Sequence, residues 1–306
     1  MEPIQDFSSL VSRLRAMKER KRVVVVCPND PHTEYVIIRS LREGFADFLL
    51  VADTPHLVNA EYIRQQYPDH VKVFEASSPD VAAQEGVLLV REGHADVLMK
   101  GIINTDNLLR AVLNKEHGLL PKGRVLSHIT VAEIPTYNKL LFFSDAAVIP
   151  NPTLDHLDAM IRYNVGVCRK MGIDAPRIAL IHCTEKVNEK FPFTLDYVTL
   201  KERAEAGEYG DVYIDGPMDV KTACDAHSGE GKGISSPVVG HADMVLFPNI
   251  IASNTFYKTL ALFGDANMAG MLQGTTAPGV VPARADSGNS KFYSLALACV
   301  CCDDKE

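Results

Sequence analysis

Arg284 is the basic residue whose position in the sequence is best suited to binding an anion. It lies within VPARADSGNSK (281–291), a short polar segment that precedes an apolar helix. A guanidinium can hold phosphate through two parallel hydrogen bonds, because its N–H groups form a planar fork. An arginine in such a loop can also simply face solvent, so the segment alone leaves both interpretations open.

Several well-known site motifs are missing, and this narrows the chemistry. The loop after the first apolar segment, CPNDPH (27–32), lacks the G-x-G-x-x-G pattern of dinucleotide-binding folds. The segment GEGKGIS (229–235) lacks P-loop spacing, because Gly233 follows Lys232, and we interpret it as a flexible turn between a helix and a strand. Neither G-x-S-x-G nor H-E-x-x-H occurs. Anion chemistry without a metal remains, with Arg, Lys, Ser, Thr, Asn and helix N-termini as binding groups.

The seven cysteines favour free thiols over a metal site. The one C-x-x-C match, Cys299 to Cys302, lies in the apolar segment LALACVCC, which we interpret as a helix end with buried thiols. His182 and Cys183 are adjacent on a predicted strand and point to opposite faces, so we do not expect them to pair. An odd number of scattered cysteines, with no signal-like N-terminus, predicts a reducing, cytoplasmic location.

Strand-like and helix-like segments alternate along the chain. Continuous apolar runs such as RVVVVC (22–27) and DFLLVA (47–52) are typical of strands buried on both faces. We predict strands at 22–27, 47–52, 71–74, 95–99, within 139–149, and at 177–182, 211–214 and 243–247. We predict helices at about 33–43, 79–92, 106–115, 153–171, 196–206, 219–226, 253–263 and 290–301. This alternation predicts βαβ units, a mostly parallel sheet, and ligands beyond the carboxyl ends of the strands.

Length and charge limit the domain number and the partners. A chain of 306 residues favours two domains, and PNP (150–152), just before the potential N-cap Thr153, is the best candidate boundary. The formal net charge is −8 and no basic block recurs, so we expect no nucleic-acid partner. No window approaches the roughly 20 apolar residues of a membrane span, so we expect no membrane partner.

Six segments follow one another along the chain in a distinctive order. They are ADVLMKGIINTDNLLRAVLNKEHGL (95–119), VLSHITVAEIP (125–135), EKVNEKFPFTLDY (185–197), DGPMDVKTA (215–223), GISSPVVGHADMVLFPNIIASNTFYK (233–258) and SGNSKFYSLALA (287–298). In these segments the chain resembles the phosphate acetyl/butyryltransferases, and the butyryl branch more closely. The resemblance covers nearly the whole chain, and several motifs in one order are far more specific than any single motif.

The resemblance implies a two-domain α/β fold, similar to the isocitrate/isopropylmalate dehydrogenases, with the active site in an interdomain cleft. It implies that the last helix returns to the first domain, so we expect one domain from 1–149 plus 288–306 and a second from 150–287. It also implies reversible transfer between acyl-CoA plus phosphate and acyl phosphate plus CoA, in a ternary complex. Coenzyme A is then a substrate, no cofactor is bound, and the resemblance suggests a homodimer or higher homo-oligomer.

The resemblance also assigns roles to individual residues. We expect Arg284 to neutralise phosphate and the developing charge, and Thr105, Ser127 and His128 to donate to phosphate or carbonyl oxygens. His128 can equally be a structural residue. The other expected substrate-binding residues are Asn254, which can instead cap its helix, Lys258, which can instead face solvent, and Ser287. Asp215 either holds a cation or ends its strand.

The general base is less well defined. In the acetyl branch a Ser-Arg pair is followed by an acidic residue credited with deprotonating the CoA thiol. Here the pair is Ala283-Arg284, and Ser290 stands where that acid would be. Asp286 is therefore the candidate base, although it can also cap the loop or pair with Arg284.

Three functions remain open from sequence. The first is phosphate acyl transfer with butyryl or a similar short acyl group, or with acetyl. The second is a metal-dependent dehydrogenase of the same fold, against which the absence of a recognisable acidic metal triad argues. The third is a non-catalytic sensor of CoA or acyl phosphate.

Overall fold

The computed structural model describes residues 2–284 and 286–302, which form two compact units. The central unit comprises the residues up to Asp6 together with Ser127–Met268. The N-terminal unit comprises Phe7–Leu126 and the chain from Ala269 onward, so it is discontinuous.

The unit boundaries at 126/127 and 268/269 fall earlier in the chain than the two inferred from sequence, and a third, at 6/7, was not predicted. The difference arises because two strands ahead of PNP (150–152) join the sheet of the central unit. One of them pairs with a strand formed by Met244–Leu246, far along the chain. A proline-rich turn therefore marks the start of a helix, while strand pairing decides which unit the preceding residues join.

The N-terminal unit begins with alternating helices and strands. Asp30 caps the second helix by accepting from the Thr33 N–H at 3.0 Å, and Gly44 ends that helix with a φ of 83°. The elements up to Leu126 are α1 (Phe7–Arg15), β1 (Lys21–Val26), α2 (Pro31–Glu43), β2 (Ala46–Asp53), a 3-10 turn (Thr54–His56), α3 (Leu57–Gln66), β3 (Val71–Ala76), α4 (Pro79–Arg91), β4 (Val97–Lys100) and α5 (Thr105–Val112).

The central unit continues this alternation. Thr153 caps its longest helix with a capping box that includes His156, as the sequence suggested for Thr153. Its elements are β5 (Ser127–Glu133), β6 (Leu141–Ser144), α6 (Leu154–Lys170), β7 (Arg177–Ile181), α7 (Phe193–Glu205), β8 (Tyr213–Met218), α8 (Val220–Cys224), α9 (Ala226–Lys232), β9 (Met244–Leu246) and α10 (Ile250–Phe263).

The remaining elements are β10 (Asn267–Gln273), which joins the N-terminal unit from Ala269 onward, β11 (Gly279–Val280) and α11 (Gly288–Cys301). Within this unit the strand order is β3-β2-β1-β4-β11-β10, with parallel pairing except between β10 and β11. Buried residues of β1, β2, β4 and α4 form one continuous core. The order places β1 beside β4, so their carboxyl ends lie side by side.

In the central unit the strand order is β5-β6-β9-β7-β8, parallel except for the β5–β6 pair. Phe143 of β6 is fully buried and makes edge contacts with the rings of Phe247 and Phe256. The prediction of an α/β fold with mostly parallel pairing is therefore confirmed in each unit.

Some elements differ from the sequence predictions. The segment interpreted as a flexible turn lies largely in α9, which ends at Gly233 with a φ of 67°. That prediction was wrong because the αL glycine ends a short helix, and Gly229 lies against Val239, where a Cβ would clash. Cys299 and Cys302 are buried at the end of α11, as predicted. In the described part of the chain, no helix is long and apolar enough to cross a membrane.

Candidate functional site

Two loops at the carboxyl ends of β1 and β4 make direct backbone contact. Val26 pairs in register with Lys100, the last residue of β4. The Gly101 N–H donates to the Val26 carbonyl at 2.8 Å, and the Ile102 N–H donates to the Cys27 carbonyl at 2.9 Å. A Cβ on Gly101 would lie 2.0 Å from the Cys27 oxygen, so only glycine allows this approach.

Arg284 reaches this junction from a distant part of the chain. Its Nη2 donates to the Asn104 Oδ1 at 2.8 Å. Asn104 is the N-cap residue of α5, but its side chain makes no capping hydrogen bond. The guanidinium therefore lies at a helix N-terminus whose first N–H groups lack a side-chain cap, a favourable location for an anion.

Asp286 holds the loop that carries Arg284. Its Oδ2 accepts from the Ala283 N–H at 2.8 Å, and its own N–H donates to the Ala283 carbonyl at 3.1 Å. Ser287 is the N-cap of α11, and its hydroxyl accepts from the Ser290 N–H at 3.1 Å. Of the alternatives left open for Asp286, the capping bond is the one observed, and among the described residues no hydrogen bond to its Oδ1 is found.

Two buried lysines lie near Arg284. Lys100 is 3% exposed, and its ammonium donates to the Gly101 carbonyl at 3.2 Å. Lys291, in the first turns of α11, is 5% exposed and lies 3.4 Å from the Asp30 Oδ1. The sequence did not single out either lysine, or Asp30. A lysine that directly follows the apolar run ADVLM (95–99), or that opens an apolar helix, is the signal that could have identified them.

The charged groups around Lys100 shift each other's pKa values. Burial lowers the pKa of Lys100, and the nearby Lys291 and Arg284 cations lower it further, whereas Asp30 and Asp286 act in the opposite direction. Burial alone would raise the pKa of Asp30, but hydrogen bonds from Thr33 and the Lys291 ammonium outweigh it and lower the pKa. Burial also raises the pKa of the Cys27 thiol to about 12, so this cysteine is inert at neutral pH.

Thr105 is the first residue of α5 and is exposed, next to Asn104. The N-terminal unit thus contains four residues predicted from sequence, namely Thr105, Arg284, Asp286 and Ser287. Lys100, Lys291 and Asn104 lie in the same unit and were not predicted as site residues.

The other predicted residues belong to the central unit, where Asp145 binds two of them, Ser127 and His128. Ser127 is fully buried and donates to the Asp145 Oδ2 at 3.1 Å, and the His128 N–H donates to the same oxygen at 3.0 Å. The Asp145 Oδ1 accepts from the N–H groups of Ala147 and Val148, both at 2.8 Å. The carboxylate thus holds its own loop and ties it to the start of β5.

α10 carries Asn254 and Lys258. The Asn254 amide nitrogen donates to the Ala146 carbonyl at 3.0 Å, so Asn254 also supports the Asp145 loop. It does not cap the helix, because α10 begins three residues earlier than predicted and its N-cap is Asn249, whose side chain accepts from the Ala252 N–H. Lys258 is exposed, and its ammonium lies 4.9 Å from the centre of the Tyr257 ring.

Asp215 has the cationic partner that was one of its two expected roles. Its Oδ1 lies 2.7 Å from the Lys201 ammonium. Burial would raise the pKa of Asp215, but bonds from Lys201, Ser236 and the Gly216 N–H outweigh it and lower the pKa. This pair ties α7 to β8 and is a structural contact.

Among the described residues, no group of three or more His, Cys, Asp and Glu is arranged to hold a metal ion. The site chemistry that the chain itself supplies is therefore that of Arg284, the two lysines, and polar groups at the N-termini of α5 and α11.

Known proteins are similar to this chain in sequence and in fold. The family model described as phosphate acetyl/butaryl transferase matches residues 78–299. The phosphate butyryltransferase of Clostridium beijerinckii is 37% identical over 295 residues, covering 96% of this chain and 97% of the relative. The phosphate acetyltransferase of Thermotoga maritima is 32% identical over 282 residues, covering 92% and 95%.

A solved structure extends the agreement to the fold. The crystal structure of a branched-chain phosphotransacylase from Enterococcus faecalis V583 superposes with a TM-score of 0.80 at 30% identity, covering 92% of this chain and 98% of that one. Sequence motifs, fold and overall length agree along nearly the whole chain, and the chain therefore belongs to the phosphate acetyl/butaryl transferase family.

Proposed function

We propose that this protein transfers a short acyl group between coenzyme A and inorganic phosphate, with butyryl-CoA or a similar thioester as the acyl donor. The observation that carries the proposal is the position of Arg284, whose guanidinium is held by Asn104 at the uncapped N-terminus of α5. Family membership supports the reaction class.

The reaction brings anionic groups together. Phosphate attacks the thioester carbonyl carbon, the carbonyl oxygen gains negative charge, and the C–S bond then breaks to release the CoA thiolate. Positive charge that is already in place lowers the cost of this encounter and of the oxyanion. Arg284 is the residue we assign to bind the phosphate and stabilise the developing charge.

Thr105 follows Asn104 at the start of α5, and Asp286 and Ser287 follow Arg284 closely in the sequence. We propose that the Thr105 hydroxyl and the Ser287 loop help to bind the phosphate or the acyl phosphate. Asp286 holds the Arg284 loop through Oδ2, and we propose that Oδ1 accepts the thiol proton when CoA is the attacking group. A thiol with an ordinary pKa of about 8.5 needs only modest assistance near neutral pH.

Ser127, His128, Asn254 and Lys258 stay predicted substrate-binding residues. The contacts of Ser127 and the His128 N–H with Asp145, and of Asn254 with the Ala146 carbonyl, support a positioning role for these three residues. We propose that the Asp145 loop serves substrate binding, and that Lys258, which is exposed, can reach an anionic part of CoA.

Specificity for the acyl group rests on small free-energy differences, because one methylene changes binding by only about 1–3 kcal/mol. The 37% identity to a phosphate butyryltransferase favours butyryl, whereas the 32% identity to a phosphate acetyltransferase supports acetyl as the second candidate. The two are distinguished by kcat/KM for each thioester.

The decisive experiment measures release of the CoA thiol from a series of acyl-CoA substrates, from acetyl to isovaleryl, each with and without phosphate. We expect phosphate-dependent release without added metal, with the highest kcat/KM for a four- or five-carbon acyl group. Release that is the same without phosphate would contradict the reaction. Binding without turnover of any thioester would instead favour a sensor.

We further propose a homodimer or higher homo-oligomer in the cytoplasm, with the isocitrate/isopropylmalate dehydrogenase-like fold. The apolar helix α10 supports self-association, because Ile251, Leu262 and Phe263 are 75%, 74% and 82% exposed. No disulfide joins the cysteines, all of which lie in the described part of the chain, and this fits a reducing compartment.

A further inference from the structure

Lys100 is a buried cation with little to neutralise it. It is 3% exposed, and the hydrogen bond found for its ammonium among the described residues is the one to the Gly101 carbonyl, at 3.2 Å. An ammonium has three donors, and no carboxylate of the described residues lies within ion-pair distance of this one. A buried charge in this state is costly unless a ligand supplies the counter-charge.

The charged groups around Lys100 increase the excess of positive charge. The groups that act electrostatically on Lys100 are the cations Lys291 and Arg284 and the carboxylates Asp30 and Asp286. Three cations therefore face two carboxylates, and both carboxylates already have partners. Asp30 accepts from Thr33 and lies near Lys291, while Asp286 accepts from Ala283.

We propose that Lys100 is a second cationic ligand for the phosphate or acyl-phosphate substrate, which it binds together with Arg284 and Lys291 at the N-terminus of α5. This inference rests on the proposed function, because it names further residues of the same site. A phosphate dianion would balance the excess positive charge of these three residues.

The neighbouring backbone and side chains favour an anion in the same place. The Asn104 side-chain oxygen accepts a hydrogen bond from Arg284 and does not cap α5. The N-terminus of this helix is therefore open to a ligand. Asn29, in the loop after β1, has an amide nitrogen and an amide oxygen that are both shielded from solvent and have no partner among the described residues. Buried amides are normally hydrogen-bonded to protein, ordered water or a bound ion, so Asn29 has hydrogen-bonding capacity to offer a ligand.

Phosphate affinity should depend on pH if Lys100 binds the phosphate. Burial, Lys291 and Arg284 lower the pKa of Lys100, and a bound phosphate dianion would raise it again. The free protein then loses phosphate affinity as pH rises through the lowered pKa of Lys100, below the ordinary lysine value of 10.5. The other titratable groups near Lys100 are Asp30, Asp286, Lys291 and the Cys27 thiol, whose pKa of about 12 lies above this window.

The test is calorimetric titration of the full-length protein with inorganic phosphate, at several pH values on the alkaline side of neutrality. We expect Lys100→Met to weaken phosphate binding by at least about tenfold, as the loss of a charged hydrogen bond implies. Lys72→Met, which removes an exposed lysine from β3, should bind phosphate like the wild type. Equal phosphate affinity for Lys100→Met and the wild type would overturn the proposal.

Lys100→Arg keeps the test valid if Lys100→Met does not fold. Arginine stays charged at every accessible pH, so this variant should bind phosphate without the alkaline loss of affinity seen in the wild type. A wild-type pH profile in Lys100→Arg would contradict the proposal. Lys100-dependent phosphate binding without turnover of any acyl-CoA would refute the proposed reaction but leave the phosphate site standing.

Discussion

The Arg284 Nη2 donates a hydrogen bond of 2.8 Å to the Asn104 Oδ1, and the two residues are 180 positions apart in the sequence. This bond joins the loop before α11 to the first turn of α5. It places the one arginine that the sequence singled out at a helix N-terminus, where an anion is favoured by the backbone as well as by the side chain.

Replacing Arg284 should slow the reaction far more than it destabilises the fold. We expect Arg284→Ala to lower kcat/KM by roughly a hundredfold or more, because the guanidinium stabilises charge that develops in the transition state. Phosphate-dependent thiol release measures the effect. Arg64→Ala, which removes an exposed arginine paired with Glu61 on α3, should keep the wild-type rate. A near-normal rate for Arg284→Ala would remove this residue from the mechanism.

Two variants separate the two proposed roles of Asp286, which are to hold the Arg284 loop and to accept the thiol proton. Asp286→Asn keeps an oxygen that can accept from the Ala283 N–H, so the Arg284 loop should stay in place, but the variant cannot take a proton. Asp286→Ala loses both the acceptor for the Ala283 N–H and the group that can take a proton. If Oδ1 is the base, Asp286→Asn should lower kcat by about tenfold or more in the direction that consumes CoA, within the range of general-base effects.

The control for this comparison is the pH profile. A catalytic base requires that the residual activity of Asp286→Asn rise with pH as the free thiol ionises by itself. If Asp286→Asn retains full activity while Asp286→Ala is impaired, the residue only holds the loop.

Gly101→Ala should damage both stability and phosphate binding. The added Cβ would lie 2.0 Å from the Cys27 carbonyl oxygen, so the loops after β1 and β4 must separate. We expect a loss of roughly 1–3 kcal/mol in the free energy of unfolding, measured by urea denaturation. Gly166→Ala is the matched control, because nothing lies within 4 Å of its Cβ in the exposed face of α6. That variant should gain about 1 kcal/mol, and equal effects of the two changes would refute the steric argument.

Asp158 should make stability depend on acid pH. Burial would raise its pKa, but hydrogen bonds from Arg162, Tyr209 and Arg203 outweigh this and lower the pKa. The stabilisation is therefore fully present above the unfolded aspartate pKa of about 3.9 and is lost as pH falls through the lower folded pKa.

Asp158→Asn should therefore cost about 2 kcal/mol at neutral pH, and this difference from the wild type should shrink in acid. Urea denaturation at neutral pH and at a series of acid pH values measures both effects. Asp211→Asn, an exposed aspartate of the same unit, should show neither. A penalty that is constant at every pH would rule out the linkage to Asp158.

The exposed apolar end of α10 should hold two copies of the chain together. Leu262 and Phe263 are 74% and 82% exposed, so replacing both with Glu should convert a dimer into a monomer of half the molar mass. Light scattering coupled to size-exclusion chromatography measures this. Val58→Glu, at a residue 75% exposed on α3, should leave the dimer intact. A wild-type monomer, or a dimer that persists in the double variant, would contradict the proposed interface.

Sequence reasoning found most of the buried strands, whose signals are local, but missed the helices α1 and α3. Long buried runs such as 22–27 and 47–52 correspond to β1 and β2, since continuous apolar, β-branched segments suit a strand covered on both faces. It did not predict β5, β10 or β11, where polar residues and glycines interrupt the pattern. The pairing of these strands depends on distant partners, which a local window does not contain.

For the site, the sequence alone determined the kind of chemistry, the family resemblance and the choice of Arg284, because residue types and motif order are written in the chain. Only the tertiary structure decided which loops meet. The order β2-β1-β4-β11 brings Val26 beside Lys100, and the return of the chain as α11 brings Lys291 to Asp30. Burial and electrostatic neighbours belong to the folded chain, so a lysine with a lowered pKa and Asn104 as the partner of Arg284 become visible only there.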